Sequence, residues 1–456
     1  MYSSFINRGH LLLAPALALC SWISLNPYFL WGSSRHIVLA GLTAGVIAVL
    51  AFIAGDRPRK SEMIGFAMMA IFIVYISLLP KTDGSFTRWY FVLPTMLALF
   101  VFEDSRRAEL IKAFSIIFGL SLLPGILVSI GSILGLQISF DHKPLLNPVM
   151  ATAGGYYLNV PGVLLLGNNV MSLPWGGALF RLCAVYDEPG MVGTVSAFLL
   201  AAHRFRIRST ATTLLFVGGL LSFSLAFAVL TAAGFAARLV LTRSARTLAP
   251  LALSVVAGLL TAGVIKPDSF HTETNAKGPG VEVTTSASAP SLTGPLSSPP
   301  ELVAGLPETQ ASDASVVKNT TVLPASTLRP TQYINNRSLP EMQKLINDYW
   351  SSGFKTLMFG VSSDASVTFG GVSQVVTRIF TDFGIIGMIL FAGSMILLAI
   401  ALLRRADFPK WALLFFALFL FSIYQRPIVW MPYAFTLFIC CPVLAGVNVK
   451  KRISVT

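Results

Sequence analysis

Five charged residues lie near the ends of long apolar runs, and their types suit chemistry on an anionic substrate. Three are arginines, Arg181, Arg378 and Arg426, and two are acids, Glu188 and Asp382. Arginine holds phosphate groups through a planar guanidinium that donates two parallel hydrogen bonds. One guanidinium about 4 Å from a phosphate charge contributes roughly 4 kcal/mol of Coulomb attraction at an effective dielectric near 20. The arginines therefore predict a diphosphate site, with a carboxylate nearby to accept a proton.

The densest group of such residues lies within residues 181–194, whose sequence is RLCAVYDEPGMVGT. The apolar run that follows predicts a helix, and Pro189 suits its first turn, where the missing N–H is not needed. Asp187 or Glu188 then falls at the N-cap, where a carboxylate meets free N–H groups and the positive end of the helix dipole. Two interpretations stay open: a capping acid, or an active-site carboxylate beside Arg181.

Long apolar segments must position these residues. The chain has 456 residues, of which 54% are apolar and 12% charged, whereas a soluble protein carries about 25% charged residues. Apolar runs of about 20 residues, separated by short basic loops, indicate an all-α polytopic membrane protein. We predict about 12 transmembrane helices with both termini in the cytoplasm, at residues 11–31, 36–54, 62–80, 89–103, 113–136, 190–203, 210–224, 225–242, 247–265, 376–402, 411–425 and 428–447.

The net charge of +13 follows this topology. The predicted cytoplasmic loops contain 19 of the 33 basic residues and only 6 of the 20 acidic ones, so they account for the whole excess. Positive charge on the cytoplasmic side is the usual bias of membrane proteins, and nucleic acid is not implied. Ionisable residues deep within spans mark ion pathways. The predicted spans have none there, which argues against an ion-coupled transporter.

Two large periplasmic loops divide the chain into five regions: N-terminal helices (1–136), the first loop (137–189), central helices (190–265), the second loop (266–375), and C-terminal helices with a basic cytoplasmic tail (376–456). The first loop is semi-apolar and rich in Pro, Gly, Asn and Tyr. Non-helical backbone at membrane depth must be buried in protein or line a wet cavity, so we predict a re-entrant or interface-hugging loop. Its aromatic residues Tyr156, Tyr157 and Trp175 form either an interfacial belt or stacking surfaces for sugar rings.

The second loop begins with residues 268–331, which are rich in Ser, Thr, Pro and Ala and are predicted to be disordered because they cannot bury enough apolar area. Ser338 and Glu341 then form a capping box. The helix that follows has one apolar stripe, ends near Gly353 and is predicted to lie flat over the bundle. The stripe consists of Met342, Leu345, Ile346 and Tyr349.

Several of these segments match a known pattern. Residues 157–162 (YLNVPG), followed by residues 181–194, resemble the R-x(n)-EP-G pattern of Wzy-type polysaccharide polymerases and O-antigen ligases. The Phe359-Gly360 turn and residues 383–387 (FGIIG) resemble the second signature of that superfamily, after its large periplasmic loop. The resemblance implies a metal-independent, inverting glycosyltransferase of the bacterial inner membrane. Its donor would be an undecaprenyl-diphosphate-linked glycan, used at the periplasmic face.

The resemblance also implies roles for individual residues. Arginines of the two outer loops would contact the diphosphate; Arg181 matches the pattern, whereas Arg378 and Arg426 are placed by position alone. Glu188 would accept the proton of an attacking sugar hydroxyl, with Asp187 or Asp382 as the alternative base. Ligases of the superfamily typically carry a histidine before the tenth span. Residues 360–374 contain none, which favours a polymerase over a ligase.

Other classes make different demands. A flippase for lipid-linked oligosaccharides would need cationic residues inside its spans, and a scaffold would not need arginines clustered around Glu188. No histidine pair has metal-ligand spacing, and we expect neither a metal nor a cofactor. The expected partners are the lipid-linked glycan donor and acceptor, the lipid bilayer and a chain-length regulator.

Overall fold

The computed structural model describes residues 2–31, 35–87, 89–144, 156–173, 175, 177–261, 340–369, 375–423 and 430–446. Arg426, Ser338 and the segment predicted to be disordered, residues 268–331, lie outside them. Most of the described chain is helical. The α-helices are α1 (Tyr2–Ile23), α2 (Arg35–Ile53), α3 (Lys60–Leu78), α4 (Leu93–Val101), α5 (Asp104–Ile133), α6 (Pro189–Ala202), α7 (Thr210–Leu221), α8 (Leu225–Thr242), α9 (Leu248–Thr261), α10 (Pro340–Trp350), α11 (Phe354–Phe359), α12 (Ala365–Thr368), α13 (Val375–Leu403), α14 (Pro409–Ile423) and α15 (Pro432–Gly446).

The apolar helices agree with a membrane-embedded protein. In the described part of the chain, five helices are long and apolar enough to cross a membrane, and seven shorter apolar helices accompany them. Each of the predicted spans overlaps one of these helices. The structure thus supports helical segments where the sequence predicts them. That every one of them crosses a bilayer stays a prediction.

Residues 210–242, which are predicted as two spans, fold as a helical hairpin. Helix α7 ends at Leu221, and α8 begins at Leu225 after Ser222 and Ser224. The Ser224 hydroxyl accepts a hydrogen bond from the Phe227 N–H and caps α8. Serine is a good N-cap because its side chain replaces an acceptor that the first helical turn lacks.

The region predicted as the first loop, residues 137–189, differs from the prediction: its described residues form a four-stranded antiparallel sheet rather than an irregular re-entrant loop. The strands β1 (Asp141–Pro144), β2 (Tyr156–Val160), β3 (Val163–Ser172) and β4 (Ala178–Ala184) are hydrogen-bonded in that order. A Pro161-Gly162 turn joins β2 and β3, and Gly162 has a φ of 87°. Proline followed by a glycine with positive φ is the signature of a type II turn between strands. The protein is therefore not all-α.

The amphipathic helix of the second outer loop is confirmed. Helix α10 buries Met342, Leu345 and Tyr349, and Ile346 packs against the same cluster. The Tyr349 hydroxyl donates to the Leu357 carbonyl at 2.8 Å, which ties α10 to α11. The prediction for Gly353 is wrong: α10 ends at Trp350, and Gly353 is the extended residue before α11.

An ion-paired cluster, which the sequence did not predict, marks one end of the bundle. We call this end of the bundle the inner end. It contains the first turns of α3 and α5 and the residues after α13. Arg107 donates to both carboxylate oxygens of Glu62, at 2.9 and 2.7 Å, and both residues are fully buried. Arg405 also pairs with Glu62. Asp104 pairs with Arg59 at 2.9 Å, with Arg405 at 3.6 Å and with Arg107 at 4.0 Å, and Arg106 pairs with Asp56 at 2.7 Å. These charges make α5 helical from Asp104, nine residues before the predicted span.

Helices α3 and α13 pack closely along their length. A Cβ added to Gly65 on α3 would lie 2.8 Å from Leu398 on α13, and one added to Gly393 on α13 would lie 2.8 Å from Met68. Small residues let helix backbones approach closely, which is how helices associate where no water drives them together. This packing supports the first part of α13, where two of the predicted site residues, Arg378 and Asp382, lie.

Candidate functional site

The backbone around Glu188 is positioned from both sides. Strand β4 ends at Ala184, whose φ of 55° is left-handed, and the β3–β4 ladder shifts register beside it. A non-glycine residue rarely adopts this conformation, so the turn is held by its surroundings. The Tyr28 N–H donates to the Val185 carbonyl at 2.8 Å, and the Tyr157 hydroxyl donates to the Asp187 carbonyl at 2.6 Å.

Tyr186 anchors the same turn in the core. Its ring is fully buried, and its hydroxyl is hydrogen-bonded to Trp22 Nε1 at 2.8 Å and to Ser121 Oγ at 2.7 Å. Burial raises the pKa of Tyr186 well above its ordinary value, because ionisation would place a charge in an apolar site. Three consecutive residues, 185–187, are thus tied to α1, α5 and the sheet. The position of Glu188 is fixed by the fold rather than by a free loop.

Glu188 is the N-cap of α6 and Pro189 follows at N1, as the sequence predicts. The carbonyl of Glu188 accepts from the Met191 N–H at 3.1 Å. Its side chain, however, makes no capping hydrogen bond to the helix. A carboxylate that served as the cap would accept from the N–H of N2 or N3. Glu188 therefore starts the helix through its backbone and not through a side-chain cap.

Arg181 lies on β4 and reaches from the sheet to the α7–α8 turn. Its Nε donates to the Ser222 carbonyl at 3.5 Å. Burial lowers the pKa of the Arg181 guanidinium, and the nearby Cys183 and Glu188 act in the opposite direction. Within the residues that the structure describes, no carboxylate lies within 4.0 Å of this guanidinium. A partly desolvated positive charge without such a partner is a candidate anion-binding group.

Arg378 and Asp382 form a second group near the start of α13. The Asp382 carboxylate is fully buried and accepts from Arg378 Nε at 3.1 Å, from Ser366 N–H at 2.8 Å and from Ser366 Oγ at 2.7 Å. The Arg378 guanidinium also lies over the Trp430 ring, 5.3 Å from its centroid. These contacts make Asp382 a group that positions Arg378. Its use as the alternative base is less favourable, because both its oxygens are already engaged.

Helix α13 is broken directly after this pair. Gly384 has φ 67° and ψ −170°, which is not helical, so residues 375–383 form a short segment ahead of the main helix. Gly360 has a φ of 88° and faces it, and a Cβ on Gly360 would lie 2.3 Å from the Asp382 carbonyl. The Val361 N–H donates to the Thr381 carbonyl at 2.8 Å. The Phe359-Gly360 and Phe383-Gly384 signatures, separate in sequence, therefore form one backbone crossing.

Tyr75 on α3 also contacts the crossing, and this contact was not predicted from the sequence. Its hydroxyl lies 2.8 Å from the Phe383 carbonyl and 3.3 Å from the Phe359 carbonyl, and donates to them. Carbonyl groups at a break in a membrane helix need a donor, because no water is present to provide one. Periodicity could not reveal this contact, since Tyr75 is one of several aromatic residues in an apolar helix.

Two hydrogen bonds bring both groups to the same end of the bundle, which we call the outer end. Trp430, in contact with Arg378, lies two residues before α15, and the Tyr433 N–H of α15 donates to Ser24 Oγ at 2.9 Å. Tyr28, five residues after the end of α1, binds Val185 beside Asp187 and Glu188. Arg181, Glu188, Arg378 and Asp382 thus lie at one end, and the ion-paired cluster lies at the other.

The aromatic candidates are placed differently from one another. Tyr157 is buried, so in this conformation its ring offers no face to a sugar. Tyr156 is half-buried and stacks on His142, with ring centroids 4.8 Å apart. Trp175 is exposed, and its Nε1 donates to the Ile133 carbonyl at the end of α5, 2.6 Å away. Only Tyr156 and Trp175 keep surface available.

The described residues contain no group of three or more His, Cys, Asp or Glu side chains that could hold a metal ion. No protein-family model, curated protein or solved structure matches the chain. The functional argument accordingly rests on the site itself.

Proposed function

We propose that the protein is a Wzy-type polysaccharide polymerase of the bacterial inner membrane. It would join oligosaccharide repeat units carried on undecaprenyl diphosphate, by inverting glycosyl transfer at the periplasmic face. The observation that carries the proposal is the arrangement at the start of α6. Arg181 is partly buried with no carboxylate within 4.0 Å in the described chain, and the Glu188 side chain is not used as the helix cap. If residues 181–189 served only to cap α6, the Glu188 side chain would bond to the helix and no buried arginine would be needed.

The arginines supply the electrostatics of the reaction. Arg181 and Arg378, with Arg426 assisting, hold the diphosphate of the donor. Fork-shaped contacts from guanidinium groups both bind this group and stabilise the negative charge that it gains as it leaves. Asp382 and Trp430 fix the orientation of Arg378, one by a hydrogen bond and one by stacking. A positioned cation costs less to organise during the reaction than a mobile one.

Glu188 acts as the general base. A hydroxyl of the acceptor sugar attacks the anomeric carbon on the face opposite the diphosphate, so one C–O bond forms while the other breaks. The bonding electrons leave with the diphosphate, and the hydroxyl proton passes to the Glu188 carboxylate and then to water. Asp187 is the alternative base. Tyr156, which is half-buried, and Trp175, which is exposed, are available for sugar rings.

Reconstituted polymerisation of purified lipid-linked repeat units tests the proposal. We expect Glu188→Gln to lose at least a hundredfold in turnover, in line with the 10²–10⁴-fold that a general base contributes. Arg181→Lys retains the charge but loses the planar guanidinium that makes two parallel hydrogen bonds. Its turnover should fall about tenfold to hundredfold. Glu109→Gln, an exposed change on α5, is the matched control and should retain the wild-type rate.

The anomeric configuration of the new linkage, measured by nuclear magnetic resonance, should be inverted relative to the donor. Transfer to a lipid A core acceptor, without growth of the repeat chain, would identify a ligase instead. Equal rates for wild type, Arg181→Lys and Glu188→Gln would refute the site.

A further inference from the structure

Four arginines that are not part of the ion-paired cluster also lie at the inner end of the bundle. Arg204, Arg206 and Arg208 occupy the loop between α6 and α7, and Arg238 lies four residues before the end of α8. Arg238 Nη1 donates to the Arg204 carbonyl at 3.1 Å and also to the Phe205 carbonyl. We call these four residues the basic cluster.

No acid compensates the basic cluster. Within the described chain, no carboxylate lies within 4.0 Å of any of its four guanidinium groups, whereas Arg59, Arg106, Arg107 and Arg405 all have carboxylate partners. Burial lowers the pKa of Arg204, and the positive charge of Arg206 lowers it further. Like charges held together in this way repel one another, so an anion between them would stabilise the fold.

The fold holds two of the arginines rigidly and exposes the other two. Arg204 Nε donates to the Ala445 carbonyl at 2.7 Å, and its guanidinium lies 4.5 Å from the centre of the Phe408 ring. Arg238 is fixed by its bonds to the loop backbone. Arg206 and Arg208 are exposed. The cluster therefore has two arginines held by hydrogen bonds to the backbone and two exposed arginines that can reach a ligand.

The surroundings favour a lipid over a soluble anion. Helix α8 is apolar enough to cross a membrane, and its exposed side chains next to Arg238 include Val240 and Leu241. Arg238 thus lies about one turn before the end of an apolar helix, which in a membrane-spanning helix is close to the level of the phospholipid headgroups. Phe408, also partly exposed, suits the same interface. A ligand here would meet positive charge at its head and apolar surface along its tail.

We propose that the basic cluster binds the phosphate headgroup of an anionic phospholipid in the leaflet at the inner end. Basic pockets between membrane helices are a recognised way of holding such headgroups. The proposal is independent of the chemistry at the outer end, because it uses none of the outer residues.

Native mass spectrometry of the purified full chain tests this. The probes are phosphatidylglycerol, phosphatidylcholine of the same acyl chains, and inorganic phosphate. We expect retention of phosphatidylglycerol over phosphatidylcholine. Arg206→Gln with Arg208→Gln should weaken that retention roughly tenfold to thirtyfold, because each arginine near a membrane surface contributes about a factor of five. Arg206→Lys with Arg208→Lys should preserve most of it.

The control is Arg243→Gln with Arg246→Gln, which removes the same charge from exposed positions in the α8–α9 loop. It should change retention much less than the Arg206 and Arg208 glutamine variant does, because it removes charge outside the basic cluster. Equal losses in both glutamine variants would reduce the effect to general charge and overturn the site. Equal retention of the two lipids would do the same. Saturation by inorganic phosphate at concentrations that displace phosphatidylglycerol would assign the cluster to a soluble phosphate instead.

Discussion

The backbones of Gly360 and Gly384 cross so closely that a Cβ on Gly384 would lie 2.6 Å from the Gly360 nitrogen. Both residues have positive φ, 88° and 67°. Neither position has room for a side chain, and neither backbone conformation suits one. The crossing fixes the segment that carries Arg378 and Asp382 relative to the second outer loop.

Alanine at Gly384 should therefore be disruptive. Steric overlap and the left-handed backbone together predict a loss of about 2–4 kcal/mol in the free energy of unfolding. The measurement is the melting temperature in detergent. Gly353→Ala is the matched control, because Gly353 has an ordinary φ and nothing within 4 Å of its Cβ position. Similar melting temperatures for the two variants would contradict the crossing.

Tyr75→Phe should destabilise the segment at the break in α13, residues 375–383, without altering the packing of α3. The hydroxyl donates to the Phe383 carbonyl, and its loss leaves that acceptor without its donor from α3 at a cost of about 1–3 kcal/mol. Hydrogen exchange at residues 375–383 should increase more than elsewhere. Tyr90→Phe, which removes a hydroxyl from an exposed ring, is the control. Unchanged exchange in this segment would show that Tyr75 does not hold the break.

Glu62→Gln should be one of the most damaging conservative changes in the protein. It removes the bidentate partner of the fully buried Arg107 and leaves Asp104, 4.0 Å away, as its acidic neighbour; breaking a buried pair costs about 3–5 kcal/mol. Glu103→Gln, one residue before α5 and exposed, should cost less than about 0.5 kcal/mol. Thermal unfolding in detergent compares the two. If Glu62→Gln melted like the control, the pair would contribute nothing.

The topology has a direct test, which distinguishes the predicted periplasmic loop from the inner end. A membrane-impermeant thiol reagent applied from outside should label Ser286→Cys but not Arg206→Cys. All four native cysteines are buried, so background labelling should be low. Labelling of the two variants in the reverse pattern would invert the orientation.

Local signals in the sequence predicted part of this structure. Pro189 and its preceding acid located the N-cap of α6, because capping depends on neighbouring residues. The predicted spans 210–224 and 225–242 placed the boundary between α7 and α8 to within a few residues. The Pro161-Gly162 pair was an equally local signal for a turn between strands. The apolar run that follows the pair favoured a re-entrant loop instead, so the strands were not predicted. Glu62 and Arg405 are 343 residues apart in sequence, so nothing local could have predicted their pairing.

Helices α3 and α13 are joined at two points, near opposite ends of their contact. Arg405 after α13 pairs with Glu62 at the start of α3, and Tyr75 near the end of α3 binds Phe383 at the break in α13. Residues 385–403 span about 28 Å at 1.5 Å per residue. The main part of α13 is therefore held against α3 at both ends of their contact, and the helix is interrupted at Gly384. Residues 375–383, which carry Arg378 and Asp382, are fastened to the same support through Tyr75 and through the Val361–Thr381 hydrogen bond, so α3 determines where Arg378 is presented.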